Sequence, residues 1–223
     1  MDCDILIIGA GIQGAAVAHL AAQRGYRVRL IEQFSRAAEG TSSRSSKLIH
    51  GGLRYLETGQ FKLVRQCLQA QRTLLRERPS LVTLAPFHFP VYADTTRPTW
   101  KIAAGLWLYR LLGGYPFTRV PEKEWGHLDG LNTNGLRAVF RYYDAQTDDR
   151  ALTEAILTDA QALGAKIDFN TRFKQADCDS TQCRVRCHGP VGQEDITAAV
   201  LINAAGPWVN QVLGRVTPHS TPL

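Results

Sequence analysis

An α/β fold on a parallel sheet is predicted by three features of the sequence. Asp4-Ile-Leu-Ile-Ile8 is an unbroken apolar run of strand length, as a strand covered on both faces requires. Gly9-Ala-Gly11-Ile-Gln-Gly14 follows at once and opens an alanine-rich stretch, Ala15 to Ala22, that reads as a helix ending at Gly25. Val28-Arg-Leu-Ile31 then gives a second strand, with Glu32 at its end. In this order the parts make a Rossmann-like nucleotide-binding unit.

Each part has a mechanical reason. Gly9 makes the tight turn, Gly11 lets backbone reach a pyrophosphate, and Gly14 lets the helix pack on the strand. The helix N-terminus offers unpaired N–H groups and positive dipole to phosphates. Glu32 lies eighteen residues beyond Gly14, where a carboxylate can hold an adenosine ribose hydroxyl. An acid there argues against a 2′-phosphate, but the glycines alone do not separate NAD from FAD.

A second stretch, Thr41-Ser-Ser-Arg-Ser-Ser-Lys-Leu-Ile-His-Gly-Gly-Leu-Arg-Tyr-Leu-Glu57, gathers hydroxyls, cations, a histidine and a glycine pair. Its serines favour a solvated loop. The return to apolar residues at Leu48-Ile49, and Gly51-Gly52, which allow close backbone approach, instead suit a large polar ligand lying against it.

From Phe61 to Leu75 apolar residues recur at helical spacing, at 64, 67, 68, 74 and 75, with Gln71 the exception; Pro79 marks the stop. Residues 81–98, rich in proline and aromatics, read as turns around a short strand at Val91-Tyr-Ala93, with His88 a packed, hydrogen-bonded histidine rather than a catalytic one. Pro98 to Leu112 reads as a helix apolar nearly all round, which points to burial; its Trp100, Trp107 and Tyr109 also suit a membrane interface. Residues 115–134 are turn-rich, and Arg137 to Tyr143 is strand-like. Asp148 or Asp149 caps a helix from Ala151 to Leu163 with a buried stripe of Leu152, Ala155, Ile156, Ala160 and Leu163. Capping and turn formation account for Asp144, Asp148 and Asp149 more simply than metal or acid–base work. Strands follow at Lys166–Phe169, Gln182–Cys187 and Ile196–Ile202, and Pro207 sits at a helix start.

Composition narrows the function classes. The 223 residues are 44% hydrophobic, enough for a core, and carry a net charge of +6. Without a basic run interleaved with aromatics, nucleic acid is the weakest partner for that charge, behind anionic lipid or an anionic substrate. No run reaches the ~18 apolar residues of a spanning helix, and Met1-Asp2-Cys3-Asp4 has no basic leader. The five cysteines, Cys3, Cys67, Cys178, Cys183 and Cys187, show no disulfide-like or zinc-like spacing. A reducing, cytoplasmic setting and no metal are expected.

Ile7-Ile-Gly-Ala-Gly-Ile-Gln-Gly14 followed by the 41–57 stretch, with Phe61-Lys-Leu-Val-Arg65, Tyr143-Asp-Ala-Gln-Thr-Asp-Asp149 and Leu201-Ile-Asn-Ala-Ala-Gly-Pro-Trp208, resembles the FAD-dependent, respiratory glycerol-3-phosphate dehydrogenases. The resemblance spans nearly the whole chain but only the N-terminal half or less of a family member. It implies an FAD-binding domain of the glutathione-reductase and amino-acid-oxidase type, made of residues 1–80 and 143–217. Residues 81–142 would be an inserted part of the cap or substrate domain, and 218–223 a truncated tail. The cofactor contacts it implies are Gly9, Ala10, Gly11, Ile12, Gln13, Gly14, Glu32, Gln33, Thr41, Ser42, Ser46, Lys47, Leu48, Ile49, Phe173, Ala205, Gly206 and Trp208.

His50 would lie near the reactive ring, as base or proton relay or through an orienting hydrogen bond. Arg54 would take the substrate phosphate with Tyr55 beside it, unless Arg54 pairs with Glu57. The implied reaction is oxidation of sn-glycerol 3-phosphate to dihydroxyacetone phosphate. Quinone is the implied acceptor, the site is peripheral on the inner face of the cell membrane, and a homodimer is compatible. The alternatives are an oxidase of the same family using oxygen, a flavin amine or amino-acid oxidase, and a non-catalytic remnant that holds FAD weakly or not at all.

Overall fold

The apolar N-terminal run forms β1 (Cys3–Ile8), the alanine stretch forms α1 (Ile12–Gln23), and β2 (Val28–Ile31) follows, in a computed structural model that describes residues 1–218. The chain continues through β3 (Leu48–Ile49), α2 (Phe61–Glu77), β4 (Val82–Tyr92), α3 (Thr99–Gly113), β5 (Thr118–Arg119) and β6 (Leu136–Thr147). Then come α4 (Asp149–Ala162), β7 (Lys166–Asp168), β8 (Arg172–Cys178), β9 (Cys183–Gly189), β10 (Gly192–Asn203), α5 (Val209–Leu213) and β11 (Val216–Thr217).

Two compact units result, Met1–Ser46 with the chain from Asp148 on, and Lys47–Thr147. The boundaries expected at 80/81 and 142/143 both fall inside the second unit. The reason is packing: Val64 and Leu68 of α2 share a core with Tyr109 of α3, and β3 pairs with the far end of β6. The expected tail at 218–223 lies, apart from Pro218, outside the described residues.

The first unit is a seven-stranded sheet in the order β11-β8-β9-β10-β1-β2-β7. β1 runs parallel to β2 and β10, with Ile8 level with both Ile31 and Asn203. Three strand ends thus reach one edge together, the place where open α/β sheets bind ligands. Leu6 and Ile8 face one core with Ile31, Val185 and Ile196; Ile7 faces another built from the alanines of α1 with Leu157 and Ala160 of α4. Cover on both faces is why β1 shows no alternation. Asp148 caps α4, its carboxylate accepting from the Arg150 and Ala151 N–H groups. The buried stripe of α4 is Leu152, Thr153, Leu157 and Ala160, whereas Leu163 is exposed, a shift of the expected face.

The β8–β9 hairpin corrects the cysteine reading. Cys178 and Cys183 pair across it at a Cα separation of 4.0 Å and form a disulfide. Five positions apart is the spacing that closes a hairpin around a four-residue loop, here held by Asp179 accepting from the Thr181 and Gln182 N–H groups.

In the second unit β6 pairs with β3, β4 and β5, all antiparallel. The proline-rich stretch read as turns is the eleven-residue strand β4. Among the described residues β4 pairs with β6 alone, and at such an edge the missing N–H groups of Pro86 and Pro90 are tolerated. α3 was expected to be buried all round. Instead Ile102, Leu106 and Tyr109 face the core, while Trp100, Trp107 and Leu111 stand 72%, 59% and 66% exposed along one stripe. Among the described residues no helix is long and apolar enough to cross a membrane.

Candidate functional site

At the edge where β1, β2 and β10 end, the first unit opens a cavity of about 430 Å³. Its floor is the glycine turn. Gly9 has φ +106, a left-handed conformation that favours glycine, and a Cβ there would lie 2.6 Å from the Ala204 carbonyl oxygen. At Gly14 a Cβ would overlap the carbonyl oxygen of Gly9, so α1 packs on the turn only because both positions lack side chains. Gly206, with φ +55, lines the cavity, and a Cβ built on it meets no protein atom.

Glu32 sits behind the turn, 8% exposed. One carboxylate oxygen accepts from the Ala10 N–H at 2.6 Å and the other from the Phe34 N–H at 3.0 Å. Each oxygen keeps a further lone pair for a ligand hydroxyl. The Ser42 hydroxyl accepts from Ile12 N–H at 3.0 Å, so the first turn of α1 is tied to the 41–43 loop.

Of the residues expected at a cofactor, Gly9, Gly11, Ile12, Gln13, Glu32, Gln33, Thr41, Ser42, Phe173, Ala205, Gly206 and Trp208 line this cavity. Ala10 and Gly14 support its floor, Ser46 is an exposed residue of the same unit, and Lys47, Leu48 and Ile49 belong to the second unit. Sequence reasoning missed Phe34 and Gly40. Phe34 meets Trp208 edge-on with ring centroids 5.9 Å apart, and a Cβ on Gly40 would come 3.2 Å from the Trp208 ring. Their signal was position alone, next to Glu32 and Thr41. Glu39, also at the cavity, is held below the usual carboxylate range by Arg36 and Arg150.

The residues present fit an adenine dinucleotide. The glycine floor, the helix N-terminus, a carboxylate at the end of β2 and apolar walls are what its phosphates, ribose and ring require.

In the second unit His50, Arg54 and Tyr55 follow β3. His50 and Arg54 are exposed. The expected alternative partner of Arg54 is taken, because Glu57 pairs with Arg97, whose Nη2 donates to Oε2 at 2.8 Å. Arg54 lies with its guanidinium carbon 5.1 Å from the Tyr55 ring centroid and donates to the Tyr55 hydroxyl at 3.3 Å. His88, on β4, accepts from Arg141 Nε at 3.1 Å; desolvation and then that neighbouring charge hold its pKa low, and it takes no part in this group.

Two expectations are corrected here. Asp144 neither caps nor turns. It is a 4% exposed residue of β6 whose Oδ1 accepts from Gly51 N–H at 3.1 Å, Tyr109 hydroxyl at 3.0 Å and Gln71 Nε2. Burial pushes its carboxyl up against the pull of those donors, and burial followed by the Asp144 charge raises the Tyr109 hydroxyl far above its ordinary value. The glycine pair, in turn, admits protein rather than ligand. A Cβ on Gly51 would overlap the Tyr109 hydroxyl and Leu68, and one on Gly52, at φ +80, would lie 2.8 Å from the Tyr55 ring.

Comparison with known proteins adds identity to this geometry. A family model described as "DAO: FAD dependent oxidoreductase" matches residues 4–223. A D-erythritol 1-phosphate dehydrogenase of Brucella abortus is 38% identical over 98% of this chain and 44% of its own length. A glycerol-3-phosphate dehydrogenase of Pseudomonas aeruginosa is 38% identical over 92% of this chain and 40% of its own. The chain thus spans about two fifths of these relatives. Among solved structures, the glycerol-3-phosphate dehydrogenase of Bacillus halodurans complexed with FAD superposes with a TM-score of 0.71 at 26% identity, over 94% of this chain and 35% of that one. An L-proline dehydrogenase from P. horikoshii shares the fold, with a TM-score of 0.73 at 21% identity over 95% of this chain and 55% of that one.

Proposed function

The chain belongs to the FAD dependent oxidoreductase family, and on that premise we propose that it carries the cofactor cavity and the phosphate-reading part of a polyol-phosphate dehydrogenase. The substrate is sn-glycerol 3-phosphate or a close phosphorylated polyol. The secondary alcohol becomes a ketone, dihydroxyacetone phosphate in the glycerol case.

The cavity of the first unit holds the adenosine and pyrophosphate, with Glu32 on the ribose and the backbone of Gly11 and Gly206 against the phosphates. Thr41, Ser42 and Ser46 of the first unit are further cofactor contacts, and Lys47, Leu48 and Ile49 are the candidates that the second unit supplies. Bound FAD supplies the acceptor for the hydride of the alcohol carbon. His50 takes the hydroxyl proton, for which an imidazole is suited near neutral pH. Arg54 and the Tyr55 hydroxyl receive the phosphate.

One observation supports this reading above the others. Arg54 is exposed and, among the described residues, pairs with no carboxylate, so a guanidinium held against Tyr55 carries a charge that no acid of the protein offsets. Quinone as acceptor and peripheral attachment to the inner face of the cell membrane belong to the same proposal. The exposed Trp100, Trp107 and Leu111 stripe, flanked by Lys101 and Arg110, is suited to a lipid interface.

The test is direct. Mixed with FAD, the chain should retain the yellow cofactor, and sn-glycerol 3-phosphate should bleach it without oxygen while glycerol does not. Arg54→Ala should raise KM for the phosphorylated substrate about 30-fold, the loss of one charge-assisted contact. A colourless preparation, or flavin that no polyol phosphate bleaches, overturns the proposal.

A further inference from the structure

The ladder between β3 and β6 ends at Ile49, which pairs with Ala145, and the next residue is His50. From there side chains take over. Gln71 Nε2, from α2, donates to the Ile49 carbonyl at 2.6 Å, and Asp144 Oδ1, from β6, accepts the Gly51 N–H at 3.1 Å. Gln71 Nε2 also donates to Asp144, and Tyr109, from α3, donates its hydroxyl to the same oxygen at 3.0 Å. The two anchored peptide groups flank His50 on either side.

Gln71 shows that the arrangement carries a cost. Its side-chain oxygen is buried and has no hydrogen-bond partner. Turning the amide over would set that oxygen against the Ile49 carbonyl and the Asp144 carboxylate, two acceptors, so the orphan follows from using both N–H groups as anchors. A buried unsatisfied polar group calls for a reason. Packing gives none, because Gln71 interrupts the apolar stripe of α2, where an aliphatic residue would have no orphan atom.

We propose that Asp144, with Gln71 and Tyr109, is a positioning clamp that holds the Ile49–Gly52 backbone and thereby sets the imidazole of His50. Asp144 is buried and meets this segment at the Gly51 N–H, so the role assigned to it is positioning. The catalytic consequence rests on the reading of His50 as the proton acceptor, whereas the clamp itself can be read without cofactor or substrate. Gly51 lacks a side chain because Tyr109 and Leu68 press against it.

The test compares the unaltered chain with Asp144→Asn and Gln71→Met by amide hydrogen exchange and by the imidazole carbon–proton resonances of His50. In Asp144→Asn the Gly51 amide should exchange about 10-fold faster, the effect of one weakened hydrogen bond, while the Val139 and Phe140 amides keep their protection. In both variants the His50 resonances should shift or broaden. If Asp144→Asn does not fold, Gln71→Met decides through the imidazole alone, since it also removes the orphan oxygen. Unchanged Gly51 exchange with an unmoved His50 overturns the clamp, as does equal loss of protection along the whole β4–β6 ladder. With FAD and a polyol phosphate, kcat should fall about 10-fold at unchanged KM. Absence of turnover in the unaltered chain would remove the proposed function, and the exchange and imidazole readings would still decide the clamp.

Discussion

The two units meet the same demand, polar groups held at a buried edge, by opposite means. In the first, the work falls to backbone: glycines at 9, 11, 14 and 206 shape the cavity, and Glu32 serves two main-chain N–H groups within one strand–turn–helix unit. In the second, three side chains from α2, α3 and β6 converge on one segment: Asp144 Oδ1 accepts from Gly51, Gln71 and Tyr109, and Gln71 donates to the Ile49 carbonyl as well. A backbone-made site tolerates change at most side chains and almost none at its glycines. A side-chain hub reverses that dependence for its polar members. The contrast can be broken or sharpened by substitution.

The largest effect belongs to the glycine floor. Gly14→Val places branched carbon against the Gly9 carbonyl, which is backbone and cannot swing aside. We expect a loss of about 3 kcal/mol, the upper part of the overpacking range, and loss of FAD retention. Calorimetry and flavin co-elution report both. A near-native melting temperature with bound flavin would show that helix α1 can move away from the turn.

Glu32 comes next. Glu32→Ala leaves the Ala10 and Phe34 N–H groups without their acceptor at a buried site, for a loss of about 2 kcal/mol, whereas Glu32→Gln keeps one acceptor oxygen and costs about 1 kcal/mol. Both should weaken FAD, the alanine variant more. Equal affinity in all three proteins would confine Glu32 to the architecture of the turn.

What could be read from the residues follows the same division. The strand–glycine–helix–strand–Glu32 unit was legible because every constraint falls within residues 4–32 and several of them admit glycine alone. The hub was not, because Asp144 meets partners 35, 73 and 93 positions away, and Gln71 shows in the sequence only as a polar break in an apolar stripe. β4 was hidden by prolines that are harmless only at a sheet edge, a fact of pairing rather than of local preference. α3, apolar all round, gives no periodic sign of which face is covered. The role of Gly51-Gly52 was misjudged for a related reason: a close approach is legible, but what approaches is not.

The smallest effect concerns acid. In the first unit Asp2, Asp4, Glu39, Asp179 and Asp195 are all held below their ordinary values, Asp2 by hydrogen bonds from Thr197, Asp4 by Arg27, Glu39 by Arg36 and Arg150, Asp179 by Thr181 and Asp195 by Arg186. Such groups stabilise the fold above their unfolded pKa, and that contribution fades as pH falls through the folded one. Asp144 has the opposite sign. Burial raises its carboxyl, so the folded unit holds a proton that the unfolded chain has released, and its contribution improves as pH falls toward the reference value of 3.8. Glu57, lowered by Arg97, and His88, lowered by desolvation and then by Arg141, oppose it within the same unit. Acidification from neutrality to about pH 4 should therefore loosen peptides of the first unit before those of the second, as seen by exchange mass spectrometry corrected for intrinsic rates. Asp144→Asn, which does not titrate, should remove the acid resistance of the second unit. Should β4 and β6 open first in the unaltered chain, burial does not dominate at Asp144, and its three donors outweigh the desolvation of its charge.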